Sequence, residues 1–204
     1  MNVFTDWLHG TTSVIHQWTL TNRGQQKAGS PVHKAIFFTS DRQFAILSGG
    51  SPTGAPNVYQ ARLKPGIHVL DISDPGTTCR TQESEDLRKR VVSCRPGKGN
   101  VFAEHTSYWE SGWRTGGIMK IGLRPGDAYM AEMSRLALYE RKTPEGLHAW
   151  NVCQQATRDC IEDIVDASRA AGYQAVAGNE MQDGITYPLL VVLDPSILTF
   201  PVKV

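Results

Sequence analysis

The sequence predicts an α+β domain, on three observations. Short apolar runs with strand character open the chain and close it, helical periodicity dominates the stretch between them and the last run, and the two do not alternate regularly. A length of 204 residues builds one well-cored domain and falls short of two ordinary ones, so residues 1–204 are read as one unit. With 40% hydrophobic and 20% charged residues the composition is globular, and a net charge of +1 gives no general pull toward nucleic acid or an anionic membrane. Neither GxGxxG nor GxxxxGK[ST] occurs, which disfavours a doubly wound or P-loop nucleotide site.

Leu8-His9-Gly10-Thr11-Thr12 reads as a first strand running into a polar turn. Ser13 through Trp18 has an N-cap residue and apolar side chains at helical spacing, which predicts a short helix with Gly24 as its stop. Ile36-Phe37-Phe38-Thr39 predicts a strand, followed by a helix capped by Asp41 that runs through Phe44 to Leu47 and ends at Gly49-Gly50. Pro52, Gly54 and Pro56 mark a loop. Val58–Leu63 and Ile67–Leu70 read as strands joined at Lys64-Pro65-Gly66. The turn-rich stretch 73–100 carries Arg88, Lys89, Arg90, Arg95 and Lys98, but Glu83, Glu85 and Asp86 sit beside them, so a solvated helix face is expected there. Further on, Asp127 is expected to cap a helix through Leu138, and Pro144 to start a long one that Gly172 ends. Tyr173–Ala177 is a strand, 178–184 a loop, and Pro188–Leu193 a last strand broken by Asp194-Pro195.

Several side chains in this framework can carry chemistry. His9 donates or accepts through either ring nitrogen, Gly10 leaves its backbone open to a ligand, and Thr11 adds a hydroxyl. Phe37 and Phe38 point to opposite faces of one strand, so one is expected in the core and the other can face a cleft. Tyr108, Trp109 and Trp113 crowd into one Gly- and Ser-containing segment; they pack inward or form a flap that recognises a substrate by stacking. Cys79, Cys94, Cys153 and Cys160 form no CxxC pair, so reduced core thiols are expected and no metal. No stretch is apolar enough to span a bilayer, and the first residues lack the blocks of a signal peptide; the expected location is cytoplasmic, or a target-cell cytoplasm after delivery.

Leu8-His9-Gly10-Thr11, Ile36-Phe37-Phe38-Thr39-Ser40-Asp41, Val58–Leu63 with Val69–Ile72, and the ending from Gly172 to Ile197 follow one another in an order that resembles the His-Tyr-Glu-like class of the ADP-ribosyltransferase superfamily, in its phage and bacterial forms. The resemblance implies an ADP-ribosyltransferase-like split β-sheet core with flanking helices. It implies NAD as co-substrate, held by His9, Gly10, Thr11, Phe37 and Ser40: His9 on the nicotinamide ribose, the Gly10 backbone on the carboxamide, and Phe37 stacking where the family has a tyrosine. The implied activity is mono-ADP-ribosyl transfer to a protein or nucleic-acid acceptor that Tyr108, Trp109 and Trp113 help to choose. The family glutamate is the departure. Register counted back from Asp194 puts Leu189 in its place, and Glu180 is the acid expected to serve as the catalytic carboxylate beside His9, reaching over the cleft from the 178–184 loop. Two alternatives accompany this reading. One is a catalytically degenerate binding module, supported by Leu189 and Phe37. The other is an NAD-dependent RNA 2′-phosphotransferase using Arg23, His33 and Arg62.

Overall fold

A computed structural model describes residues 3, 5–20, 34–48, 57–71, 128–182 and 185–204. In chain order these form β1 (Trp7–Thr11), β2 (Ile36–Thr39), α1 (Arg42–Ser48), β3 (Asn57–Ala61), β4 (Val69–Asp71), α2 (Ala128–Tyr139), α3 (Pro144–Ala170), β5 (Ala175–Gln182), β6 (Ile185–Val192), a 3-10 turn (Pro195–Ile197) and β7 (Val202–Lys203). The chain is α+β, built on one mixed seven-stranded sheet in the order β4-β5-β6-β2-β1-β3-β7. Only β4 and β5 run parallel; every other pair is antiparallel.

The sheet is covered on both faces at its centre, which explains the unbroken apolar run that closes the sequence. Leu189, Val191 and Leu193 pack with Leu70 and Val176 against Ile164, Val165 and Ala167 of α3. Leu190 and Val192 point the other way, into a cluster with Trp7, Trp18, Phe38, Tyr59, Ile197 and Leu198. α3 begins where the sequence says it should: Thr143 accepts a hydrogen bond from the Gly146 N–H, and Pro144 follows it in the first turn. Past its end, Gly172 takes the left-handed conformation, φ +87°, that terminates a helix. Asp41 caps α1 by accepting from the Phe44 N–H at 2.7 Å.

Two expectations are corrected. Residues 13–18 form no helix. The Trp18 ring is buried in the core, its Nε1 donates to the Thr199 carbonyl at 2.8 Å, and the Ile15 N–H donates to the Tyr59 hydroxyl. A run that short, with β-branched and aromatic residues, lacks the helical stability to compete with these anchors. The segment 178–184 is not a loop through Glu180: β5 and β6 face each other in continuous register from Ala175↔Val192 to Gln182↔Ile185. Cross-strand pairing here overrides the weak strand propensity of Gly178 and Asn179. β3 and β4 are joined through the expected turn region, with Gly66 at φ +77°, and do not pair: β3 lies between β1 and β7, and β4 beside β5. The expectations for Gly24, 73–127 and the cap at Asp127 fall outside the described residues.

Candidate functional site

The sheet has a local split between β1 and β2. β1 pairs with β3 along its whole length, from Trp7↔Ala61 to Thr11↔Asn57, but with β2 only at Leu8↔Thr39. His9 occupies the opening: its Nδ1 lies 2.8 Å from the Phe37 carbonyl oxygen. A carbonyl only accepts, so Nδ1 carries the proton and donates, and in the neutral ring Nε2 is left with the lone pair. Burial pushes the imidazole below its ordinary pKa, and the hydrogen bond to Phe37 opposes this more weakly, so the neutral ring is favoured. The ring is walled by Phe38, 5.5 Å between centroids, and by Trp18, edge-on at 5.9 Å. Among the described residues Nε2 has no hydrogen-bond partner, and His9 keeps some exposure.

Backbone alternation fixes what Gly10 presents. The Phe37 carbonyl points toward β1, and Thr39, two residues on, does the same in its pair with Leu8. Leu8 and Gly10 therefore turn their N–H and C=O toward β2. A continued ladder would join Gly10 to Phe37, but the Phe37 carbonyl is taken by His9 and the β1–β2 ladder stops at Leu8. Among the described residues nothing completes that pair, so Gly10 presents a donor and an acceptor side by side in the split. A primary carboxamide carries the complementary pair in the same plane, as a second strand would.

The remaining expected site residues are distributed as follows. Phe37 is half-buried against the α3-side cluster, while Phe38 is 1% exposed in the opposite one. Phe38 is thus the core residue, as expected, but it is also the ring that packs on His9. His9 shares the Trp7 face of β1, so His9 and Phe37 meet through the imidazole and the carbonyl and not as two side chains of one wall. Thr11 is buried, and its Oγ1 accepts from the Ser13 N–H at 3.1 Å, which closes a small turn. Ser40 is exposed just beyond β2. Tyr108, Trp109 and Trp113 lie outside the described residues, as do Arg23 and His33. Arg62 is ion-paired with Asp6 at the surface.

Glu180 is not brought to His9. It sits on β5 directly across from Tyr187, whereas Gly178, Leu189, Thr39 and Leu8 form one cross-strand row. Glu180 lies beyond that row in one direction and Gly10 beyond it in the other, with β6 and β2 between their strands. Strand spacing and rise put their backbones roughly 20 Å apart in a flat sheet. Alternation also gives Glu180 the Val176 face and His9 the Trp7 face. Leu189, at the position the resemblance gives to the glutamate, is 5% exposed in the core. Sequence reasoning missed Trp18 and Tyr59, which close the His9 side of the split; a lone Trp in a segment with helical spacing gave no sign that it would fold back onto β1.

No group of three or more His, Cys, Asp or Glu able to hold a metal occurs among the described residues, and none of their helices is long and apolar enough to cross a membrane. Comparison with protein-family models, with curated proteins and with solved structures yields no match.

Proposed function

We propose that the chain binds NAD at the β1–β2 split and acts as a mono-ADP-ribosyltransferase of the His-Tyr-Glu-like type. The observation that carries this is the Gly10 backbone pair, turned toward β2 with its ladder partner already engaged by His9. Gly10 N–H donates to the carboxamide oxygen of nicotinamide and Gly10 C=O accepts from its nitrogen. His9 Nε2 accepts from a ribose hydroxyl, and Phe37 borders the ring. In the reaction the C1′–N glycosidic bond breaks with its electron pair leaving on nicotinamide. An acceptor nucleophile, protein or nucleic acid, then bonds C1′ and gives up its proton.

A carboxylate beside the ribose would stabilise the cationic transition state, and the described residues bring none to the split. That placement favours a second reading, in which the same site binds the dinucleotide without cleaving it. Incubation with labelled NAD and candidate acceptors, together with calorimetric titration of NAD, separates the two. Label transfer with nicotinamide release supports the transferase; saturable binding without release supports the binding module. If neither occurs, or if His9→Ala binds NAD as the wild type does, both readings fail.

A further inference from the structure

We propose that Glu180 and Tyr187, facing each other across the β5–β6 hairpin, form a binding site for a guanidinium group. The proposal does not rest on NAD binding at the split. The two residues are a direct cross-strand pair, which sets their Cβ atoms about 5 Å apart on one face. The Tyr187 ring is held flat against Phe44 of α1, 4.3 Å between centroids and 5° between planes. Phe44 is buried and Tyr187 only half-buried, so the stack orients a tyrosine ring that keeps some exposure. Glu180 is half-buried beside it. Among the described residues no N–H, hydroxyl or cation is paired with its carboxylate. No charged group on α1, β4 or β6 acts on it; burial alone raises its pKa, to about 7.

A carboxylate partly withdrawn from water, with no partner among the described residues and directly across the hairpin from an oriented aromatic ring, is an incomplete arrangement. A guanidinium completes it: the planar fork takes both carboxylate oxygens while its face lies on the tyrosine ring. An ammonium is a point charge that cannot make both contacts in one plane. The same chemistry is carried by a free guanidine metabolite and by an arginine side chain of a polypeptide.

The test uses the intact chain, with agmatine, an arginine-containing capped peptide and its lysine counterpart as probes, followed through the Tyr187 ring signals by NMR. At about pH 8.5, where Glu180 is ionised, saturable binding of a guanidinium probe is expected, with the lysine peptide at least about tenfold weaker. At about pH 5.5 protonation of Glu180 weakens the guanidinium probe by at least about tenfold. Glu180→Gln removes binding, and Tyr187→Phe, which keeps the ring, retains it. Tighter binding of the peptide than of agmatine identifies a polypeptide arginine as the ligand; the reverse order identifies a small guanidine. Absence of saturable shifts at about pH 8.5, or equal binding by Glu180→Gln, overturns the proposal.

Discussion

Replacing Glu180 by Gln is expected to stabilise the protein, and to do so only where the acid would be charged. The Glu180 carboxyl is pushed by burial from an ordinary 4.5 to about 7. In the unfolded chain it titrates at its ordinary value. Below that value both states hold the proton and the group contributes nothing to pH dependence. Between 4.5 and about 7 the folded state keeps the proton while the unfolded state releases it, so stability falls as pH rises. At about 1.4 kcal/mol per pH unit, the full loss is roughly 3 kcal/mol and is complete above neutral pH. This is an upper bound, because the side chain is not wholly removed from water. Glutamine has nearly the shape of the protonated acid and does not titrate. Urea denaturation across a pH series should therefore show wild type and variant nearly equal at about pH 4.5, and the variant ahead by up to roughly 3 kcal/mol at about pH 8. In a chain of this size that corresponds to roughly 6–12 °C in Tm. A variant no more stable than wild type at about pH 8, or an advantage that is flat with pH, would refute the assignment of an unpartnered, desolvated carboxyl.

Other perturbations test the frame and the split. His9→Ala removes the imidazole donor to the Phe37 carbonyl, so it should cost about 1–2 kcal/mol in denaturation experiments and weaken NAD binding by tenfold or more in calorimetry. Gly146→Ala should be severely destabilising, by several kcal/mol, since a Cβ there would lie 1.9 Å from the Glu140 carbonyl oxygen; thermal unfolding followed by circular dichroism measures it. Asp41→Ala removes the α1 cap and should cost about 1 kcal/mol in the same assay, whereas Asp41→Asn should recover most of it.

What could be read from the sequence was local. Asp41, Pro144 and Gly172 each mark a helix end through local geometry, and all of them hold. The apolar run Leu189–Val192 is a buried strand for the same reason: its composition suits a site covered on both faces. The failure at residues 13–18 has the opposite cause. Its conformation is set by Trp18 reaching Thr199 and by Ile15 reaching Tyr59, partners far off in sequence whose pull no local periodicity records. The extent of β5 was hidden likewise, since its strand character beyond Ala177 comes from pairing with β6.

The candidate site divides along the same line. That Gly10 and His9 matter together is visible in adjacent residues; that the Gly10 backbone is left unladdered because the His9 imidazole takes the Phe37 carbonyl is a matter of register between strands. Register also removes Glu180 from the place the sequence offered it. Counting residues back from Asp194 measures distance along one strand, whereas Glu180 belongs to the neighbouring strand and lies past the row that ties Leu189 to Thr39 and Leu8. Released from that role, Glu180 is an acid whose pKa burial raises, with no paired donor or cation among the described residues, across the hairpin from a tyrosine ring stacked on Phe44. Nothing in the packing of the described residues requires a carboxyl there, since a neutral isostere would fit the same space. The proposed guanidinium ligand would supply the donor and cation that the described residues do not bring to this carboxyl.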